Sequence, residues 1–430
     1  MNTTNIDKQD DKQERVTPKL RFPEFQVELG WRKDDLGNLF TERKEKGYPN
    51  LPLLSLTEQN GIIPQAETNR KNNSSLDKSK YLRVCYGDIA YNTMRMWEGR
   101  SAFVNMEGIV SPAYTICIPK NHINSFFYSF YFKLPNLISE FHRYSQGLVK
   151  DTLNLKFDKF AQISVGVPPK SEEQQKIADC LSSIDELIEL QEQKLAALKQ
   201  HKKGLMQQLF PSHNDLQASK QASKQASKQA SKQASKQIVY PKLRFPQFKD
   251  CEGWEVVELG DICENLDARR IPITTQDRES GKIPYYGASG IIDYIDKFIF
   301  NEDLLCVSED GANLIDRNYP IAFSISGKTW VNNHAHVLRF KNIATQIIVE
   351  NYLNSINLEY YLTGMAQPKL NQAKLSTILI PKPSLEKEQQ AIADCLSSLD
   401  KLISEENEQI GRLKDHKKGL MQQLFPIFRN

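Results

Sequence analysis

The residues that could do chemistry in this 430-residue chain form few of the patterns that enzymes use. Residues 322–329 (AFSISGKT) resemble a phosphate-binding loop, but such a loop begins with glycine and leads into a helix. Here the sequence continues as WVNNHAHVLRF, which indicates strand and loop, so nucleotide binding is not predicted. His334 and His336 alternate on that stretch without a cysteine or carboxylate at ligand spacing, so a zinc site is not predicted either.

Other catalytic patterns are also missing from the sequence. There is no Asn/Asp-Pro-Pro-aromatic tetrad and no glycine-rich cofactor loop, so base methylation by this chain alone is not expected. No pair of carboxylates followed by lysine suggests a nuclease, and the 7 histidines offer no nucleophile–base pair. The 7 cysteines lack CxxC spacing, which favours reduced thiols in a cytoplasmic protein. We therefore predict no catalytic, cofactor-binding or metal-binding residues in this chain.

Basic, amide and aromatic residues in the two middle parts of the chain suit DNA recognition instead. Arginine and lysine neutralise phosphates or fork onto guanine, and asparagine pairs with adenine edges. Each one taken singly also fits a solvated surface, and the net charge of +3 is too small to decide the question. Trp97 is expected to pack in the core or shape the surface. The candidate DNA-binding residues are Arg43, Lys44, Arg70, Lys71, Asn72, Asn92, Arg95, Arg100, Lys150, Arg269, Arg270, Tyr285, Tyr286, Asn313, Arg317, Lys328, Asn332, Asn333 and Lys369.

Duplicated segments must position these candidates. EQQKIADCLSSIDELI (residues 173–188) returns as EQQAIADCLSSLDKLI (388–403) with 13 of 16 residues identical, and HKKGLMQQLFP occurs twice at the same offset of 215. A lead segment, PKLRFPEF (residues 18–25), returns as PKLRFPQF (241–248) at an offset of 223. The chain is thus a tandem duplication in which a lead segment, an unlike middle and a long helix follow one another twice.

Each duplicated helix carries apolar residues at alternating spacings of four and three, which is the pattern of a coiled-coil seam. Polar residues interrupt both seams at equivalent places, Gln191 with Glu406 and Lys202 with Lys417. Two such stripes can bury each other, or each helix can pack on its own domain. The seam residues are Ile177, Leu181, Ile184, Ile188, Leu195 and Leu198 in the first helix and Ile392, Leu396, Leu399, Ile403, Ile410 and Leu413 in the second.

The two middles contain short β-like runs and one helical patch each, which predicts mixed α+β modules. Five QASK copies (residues 217–236) lie between the halves and form either a solvated linker or an adjustable spacer. The predicted division is a disordered tail (1–17), a first recognition domain (18–165), a first spacer helix (166–212), a QASK linker (213–237), a second recognition domain (238–380) and a second spacer helix with the C-terminus (381–430).

The chain resembles the DNA specificity subunit of type I restriction-modification systems over nearly everything from residue 18 to residue 426. The resemblance lies in residues 87–97 (GDIAYNTMRMW), 108–114 (GIVSPAY), 283–290 (IPYYGASG) and 330–336 (WVNNHAH), together with the duplicated helix openings. It implies an α+β fold of two target recognition domains, joined and separated by two long helices that form an antiparallel coiled coil with pseudo-twofold symmetry.

The resemblance also implies the function and the partners. Each domain would read one half of a bipartite double-stranded DNA site, and two modification subunits and restriction subunits would supply S-adenosylmethionine, ATP, magnesium and all bond-making chemistry. A protein scaffold that does not read DNA and a lone nucleic-acid enzyme stay as alternatives. The polar N-terminus predicts no signal peptide and the apolar runs are too short for a membrane span, so a cytoplasmic location is expected.

Overall fold

The computed structural model describes residues 14–57, 61–68, 75, 77–212, 215–216, 218, 237–364 and 367–428. The chain divides into two compact units. The first unit contains Met1–Gln191 and Gln409–Asn430, and the second contains Glu192–Glu408. This division cuts both long helices, whereas the sequence-based division treats each helix as a segment of its own.

The first unit combines short strands with helices of mixed length, and the sequence order of its elements is uninterrupted up to the long helix α5. Its strands are β1 (Arg15–Val16), β2 (Trp31–Asp35), β3 (Phe40–Glu42), β4 (Leu54–Leu56), β5 (Ile62–Pro64), β6 (Leu82–Val84), β7 (Ile89–Asn92), β8 (Ser101–Phe103), β9 (Gly108–Val110), β10 (Tyr114–Pro119) and β11 (Ser164–Val167). Its helices are α1 (Leu36–Leu39), α2 (Ser125–Tyr131), α3 (Pro135–Tyr144), α4 (Phe157–Phe160) and the beginning of α5 (Ser171–Leu209).

The second unit repeats this plan with an extra sheet. Its strands are β12 (Ile238–Val239), β13 (Trp254–Glu258), β14 (Cys263–Asn265), β15 (Ser280–Gly287), β16 (Gly290–Ile295), β17 (Phe300–Asn301), β18 (Leu304–Ser308), β19 (Ala322–Ile325), β20 (Lys328–Val331), β21 (Ala335–Phe340) and β22 (Leu379–Lys382). Its helices are α6 (Leu259–Ile262), α7 (Asn313–Asp316), α8 (Ile343–Ser355), α9 (Gln372–Ser376) and the beginning of α10 (Glu386–Leu424).

The sheets show the duplication directly. A three-stranded sheet opens and closes each unit, with order β1-β2-β11 in the first and β12-β13-β22 in the second. A four-stranded sheet follows in each, with order β3-β10-β7-β8 and β14-β21-β18-β19. The second unit adds a sheet with order β16-β15-β20-β17, in which β15 and β20 pair in parallel. The first unit has the two-stranded pairs β4-β5 and β6-β9 instead.

Aromatic side chains fill the core of each unit. In the first, Trp31 contacts Phe127 and Phe425 edge-on, with ring centroids 5.6 and 6.1 Å away. In the second, Trp254 and Tyr352 lie within 6.4 and 5.4 Å of Phe210. Phe210 and Phe425 belong to the two identical helix ends, so each duplicated LFP sequence closes a core. Edge-on ring pairs of this kind add stabilisation beyond simple burial.

A buried ion pair ties each lead segment to the start of a long helix. Arg21 donates to both carboxylate oxygens of Glu173 at 2.8 and 2.7 Å, and Trp31 Nε1 donates to the same carboxylate at 3.0 Å. Arg21 also donates to the carbonyls of Glu28 and Leu29, so four of its five N–H groups have acceptors. We call this arrangement the first clasp; it explains why PKLRF and EQQ occur together.

The second clasp has the same geometry. Arg244 donates to both carboxylate oxygens of Glu388, each at 2.7 Å, and Trp254 Nε1 lies 3.0 Å from that carboxylate. Both glutamate side chains are inaccessible to solvent. A buried carboxylate needs such complete pairing, because leaving it unpaired costs several kcal/mol.

The long helices α5 and α10 run antiparallel where they meet within each unit. In the first unit, Lys417 near the end of α10 donates to Asp185 near the start of α5, at 2.5 Å. In the second unit, Lys202 near the end of α5 donates to Asp400 near the start of α10, also at 2.5 Å. The two pairs are related by the sequence offset of 215. The lysine that interrupts each seam therefore has a fixed partner on the opposite helix.

Burial along the seam is uneven. Ile177 and Leu181 are fully buried in the core of the first unit, and Ile392 and Leu396 in that of the second, so the first turns of each helix pack on their own domain. Ile188 and Ile410 are buried farther along. The remaining seam residues, Ile184, Leu195, Leu198, Leu399, Ile403 and Leu413, are half-buried. Both interpretations of the helices thus apply, each to a different part of the seam.

The predicted fold class is confirmed: two mixed α+β units are each completed by long, duplicated helices. Residues 322–329 form strand β19, a turn and the start of strand β20, so Lys328 begins a strand and not a helix. Among the helices that the structure describes, none combines the length and apolar character needed to cross a membrane.

Candidate nucleic-acid interface

In each unit, a turn after a central strand is joined to a loop that precedes a short helix. In the first unit, the turn after β7 (residues 92–100, turn 1) and the loop 145–155 (loop 1) meet where the Leu155 amide donates to the Thr93 carbonyl at 2.8 Å. In the second, the turn after β18 (residues 308–317, turn 2) and the loop 362–370 (loop 2) meet through Leu370 and Glu309, also at 2.8 Å. Equivalent contacts thus bring equivalent segments together.

Turn 1 is a rigid support for side chains. The Asn92 side-chain oxygen accepts the Met94 amide at 3.0 Å, and Gly99 adopts a φ of +77° in close contact with Ile138. Trp97 is half-buried and donates to the Met94 carbonyl at 2.9 Å, so it shapes the turn as expected. A turn held in this way presents its outward side chains at little cost in conformational entropy.

Four of the candidates in the first unit lie on turn 1 and loop 1. Asn92 caps the turn, and Arg95 is 56% exposed although it lies 3.1 Å from Glu98. Arg100 is close to the same carboxylate, at 3.6 Å. Lys150 is exposed on loop 1. The structure therefore joins a turn that carries three of the candidates to a loop that carries the fourth, although the two segments are far apart in sequence.

The other candidates of the first unit lie elsewhere. Arg43 is mostly buried and donates to both carboxylate oxygens of Asp88 at 2.8 and 3.1 Å. Because of this hydrogen bond to Asp88, the pKa of Arg43 is raised above its usual value. Lys44 is exposed and pairs with Glu42 at 2.8 Å. Arg70, Lys71 and Asn72 lie outside the described residues.

Turn 2 and loop 2 meet over a network of charged side chains. Glu309 accepts from Arg270 at 2.8 Å and from Lys369 at 3.2 Å. Arg270 also donates to the carbonyls of Asn333 and Ala335. The network therefore connects turn 2, loop 2 and the segment before β21, and it engages three of the candidates predicted from sequence.

His336 and Asp267 form the buried end of this network. His336 Nδ1 lies 2.6 Å from Asp267 Oδ2, and His336 Nε2 lies 2.7 Å from the Leu370 carbonyl. Burial opposes the ionised forms of Asp267 and Glu309. Burial is the largest single influence on both, but the hydrogen bonds and charges around each carboxyl together outweigh it and hold its pKa below the usual value, with His336 contributing most for Asp267 and Arg270 for Glu309.

The carboxylates of Asp267 and Glu309 and the ring of His336 lie close enough to hold a metal ion, with one ligand atom from each within 4.8 Å of the others. These atoms already have partners, since His336 uses both ring nitrogens and Arg270 lies against both carboxylates. The arrangement is therefore that of a charge network that orders turn 2 and loop 2.

Several candidates in the second unit have structural partners. Asn313 is buried and bonds both backbone groups of Tyr319. Arg317 donates to the Leu353 and Ile356 carbonyls at the end of α8, and its burial lowers the pKa of its guanidinium. Asn332 is buried and accepts the His334 amide at 2.8 Å. These three side chains shape the surface from below.

The remaining candidates of the second unit are spread over the added sheet and its surroundings. Tyr285 is buried under Arg278, and Tyr286 stacks on Phe323, where burial raises the pKa of its hydroxyl. Three candidates are outward-facing: Arg269 over Phe300, Lys328 over Phe298, and Asn333, whose side chain is exposed.

Sequence reasoning missed the clasps and the apolar tip of loop 1. Both residues of each clasp lie in duplicated segments of the sequence. The pair Arg21 and Glu173 therefore recurs as Arg244 and Glu388, and this recurrence was the signal that could have indicated a contact. Leu148 and Val149 are 101% and 61% exposed at the tip of loop 1, and no periodicity marks them.

The fold and these paired surfaces define a two-domain recognition protein, and comparison with known proteins identifies its family. The model of the type I restriction modification DNA specificity domain matches residues 29–200 and 251–414, which is well over half of the chain. The chain belongs to this family of type I restriction-modification specificity subunits.

Individual relatives agree with this assignment. The specificity subunit of the type I restriction enzyme MjaVIII of Methanocaldococcus jannaschii is 25% identical over 385 residues, covering 80% of this chain and 81% of that protein. A Haemophilus influenzae protein named as a type I restriction enzyme specificity subunit is 36% identical over 156 residues. That match covers 36% of this chain and 40% of the relative.

Solved structures support the fold. The crystal structure of the type I restriction-modification S subunit from M. genitalium superposes with a TM-score of 0.62 at 14% identity. The match covers 96% of this chain and all of that one. At this identity the likeness concerns the fold alone.

Proposed function

We propose that this chain reads a bipartite double-stranded DNA site, with turn 1 and loop 1 facing one half-site and turn 2 and loop 2 facing the other. The proposal rests on the backbone hydrogen bond that joins the turn to the loop at the equivalent place in each unit, from Leu155 to Thr93 and from Leu370 to Glu309. We call each of these contacts a joint. The joints are alike, whereas the side chains around them differ. Equivalent surfaces with different residues suit one task performed on two different base sequences.

The charges of these surfaces fit a nucleic-acid ligand. Arg95 and Lys369 are each about half exposed, which leaves their charged groups within reach of phosphates. Lys150, Lys328 and Asn333 are exposed and can reach phosphates or base edges. Arg43, Asn313 and Arg317 support the surface from inside.

The long helices α5 and α10 set the spacing between the half-sites in this proposal. Two weak half-site contacts linked in one molecule act at high effective concentration, so both must fit the DNA at once. The duplicated clasps fix each unit on a helix start, and the Lys417–Asp185 and Lys202–Asp400 pairs fix the helix register.

In this proposal the chain determines which DNA sequence is recognised and catalyses no bond-making step. Two modification subunits dock on it, bind S-adenosylmethionine and methylate adenine; restriction subunits bring ATP and magnesium for cleavage. These partner and cofactor assignments extend from the family to this chain and are part of the proposal.

The test is a methylome of cells that express this chain with its modification subunit. The expected result is one bipartite motif, two short half-sites separated by an unspecified spacer of fixed length. A stable complex with the modification subunit that methylates no adenine would contradict the proposal and favour a protein scaffold. Methylation by the chain alone would indicate an enzyme.

A further inference from the structure

Residues 146–154 of loop 1 form a closed loop that bonds to itself. Gln146 and Asn154 exchange two backbone hydrogen bonds of 2.8 and 2.9 Å, and the Asn154 side chain donates to the Gln146 and Thr152 carbonyls. Inside the loop, the Thr152 hydroxyl bonds both backbone groups of Val149. These bonds close the loop from within and leave its tip projecting from the surface.

Gly147 makes this closure possible. Its φ is +154°, and a Cβ atom there would lie 2.6 Å from the Thr152 carbonyl oxygen. No other residue fits so close to the opposite strand of the loop. The backbone of the tip is therefore fixed by close packing within the loop.

This rigid loop holds an apolar side chain entirely in solvent. Leu148 is 101% exposed and Val149 next to it is 61% exposed, and Met94 of turn 1 is 47% exposed. Single exposed apolar residues are common on proteins. Here, however, Leu148 and Val149 are adjacent at the tip of the loop, and the turn joined to that loop carries Met94. Together they leave an apolar surface that a ligand can cover.

The surroundings point to DNA as that ligand. Lys150 follows the tip and Lys156 follows the joint to turn 1, and both are exposed, while Arg95 of turn 1 is 56% exposed. Cations around an apolar tip match a duplex, whose phosphates flank grooves in which thymine methyl groups and base steps accept apolar side chains.

The sequence of the second loop agrees. Gly364 has a φ of +82° and is followed in the sequence by Met365 and Ala366, which lie outside the described residues. In the sequence, two apolar residues thus follow the glycine in both halves of the chain, but they are different residues. A partner protein bound twice would favour identical residues, as in the duplicated helices.

We propose that Leu148 contacts the bases of the half-site read by the first unit and contributes to its specificity. This inference rests on the proposed function. It adds an apolar contact to a surface otherwise assigned to charged and amide groups.

The test compares Leu148→Ser and Leu148→Met in the full chain bound to its modification subunit. Affinity is measured for duplexes that carry the wild-type motif and for duplexes with single base changes in either half-site. We expect Leu148→Ser to weaken binding to the cognate duplex about ten-fold, since burial of a leucine side chain is lost. The penalty for a base change at one position of the first half-site should shrink, and all penalties in the second half-site should stay.

Two controls separate specificity from structure. Leu148→Met keeps an apolar tip and should bind nearly as the wild type does. Val27→Ser changes an equally exposed apolar residue of the same unit, which is 91% exposed, and should leave affinity and discrimination unchanged. Unfolding temperatures of all variants should match the wild type.

The inference is overturned if Leu148→Ser discriminates among the duplexes as the wild type does, or if it weakens every duplex equally. The proposed function would survive both results, because the wild type would still read a bipartite motif. If the wild-type complex itself prefers no sequence, the proposed function fails first.

Discussion

Arg21 and Glu173 form a two-point ion pair with no access to solvent at the carboxylate, and Arg244 and Glu388 repeat it in the second unit. The partners in each pair are separated by the whole recognition domain in sequence. Each clasp thus fastens the beginning of a domain to the helix that follows it.

Loss of either clasp should destabilise the unit that contains it. Glu173→Gln leaves Arg21 buried without a countercharge, at a cost of about 3 kcal/mol. Glu388→Gln should cost about the same, because its contacts have nearly the same lengths. Chemical denaturation measures both, with Glu172→Gln at the neighbouring exposed residue as the control. Equal stability of Glu173→Gln and Glu172→Gln would show that the clasp is dispensable.

The helix ion pairs should determine register more than stability. Lys202 and Asp400 are partly exposed, so removing their pair by Lys202→Ala should cost less than about 1 kcal/mol. Lys202→Glu places like charges together and should cost more, and the double change Lys202→Glu/Asp400→Lys should recover most of it. Thermal unfolding is measured for the four proteins of a double-mutant cycle: the wild type, Lys202→Glu, Asp400→Lys and the double variant. Full additivity of the two charge reversals would mean that these residues do not interact.

The charge network below turn 2 should make the second unit sensitive to acid. The folded-state pKa of Asp267 lies below its usual value near 3.8, so ionisation of this carboxyl stabilises the fold at higher pH. That stabilisation is lost as the pH falls from the usual value through the lower folded-state value. Asp267→Asn should therefore lower the unfolding temperature at pH 7, and the difference from the wild type should shrink below about pH 4.

Asp303→Asn provides the control for this experiment, because Asp303 is an exposed carboxylate in the same unit. It should unfold as the wild type does at both pH values. An Asp267→Asn deficit that is the same at pH 3 and pH 7 would exclude the ionised carboxyl as its cause.

Two glycines should respond oppositely to alanine. Gly204 lies inside α5, and a Cβ added there would meet no neighbouring side chain within 4 Å, so Gly204→Ala should stabilise the protein by about 0.5–1 kcal/mol through helix propensity. Gly147→Ala should instead open loop 1 and impair reading of the first half-site alone. Denaturation and the methylome measure the two effects, and a Gly147→Ala variant with an unchanged motif would contradict the role of loop 1.

The number of QASK copies should change the spacer of the DNA site. Apart from Ala218, the five copies lie outside the described residues, so this prediction comes from the sequence, in which each copy adds four residues between the halves. Removing one or two copies should alter the spacer length in the methylome and leave both half-sequences as they were. A changed half-sequence would contradict the interpretation of the QASK repeats as an adjustable spacer.

The sequence predicted the parts of the fold that repeat or have a period. Heptad spacing indicated the two long helices, which end at Leu209 and Leu424. The family resemblance correctly indicated the fold class. The clasps depend on residues about 150 positions apart, such as Arg21 and Glu173, and no local pattern reports such a contact.

The candidate surface was less predictable, because residue type does not reveal what a side chain touches. The sequence does not distinguish Arg43 and Arg317 from Arg95. In the structure, Arg43 donates to Asp88 and Arg317 donates to carbonyls at the end of α8, whereas Arg95 is half exposed. Leu148 has the residue type of a core position and is wholly exposed. Only the tertiary contacts separate these cases.

The pairing of β2 with β11 has a consequence for how such a protein can change. Asp35, where the first domain's middle begins, lies opposite Ser164, where it ends, and Glu258 lies opposite Leu379 in the second unit. A segment whose two ends are neighbours in one sheet can be exchanged for another of different length and topology without moving the three-stranded sheet or the long helices. Under the proposed function, recombination at these two strand positions would change the DNA sequence read by one unit in a single event and would leave the long helices and the clasps unchanged.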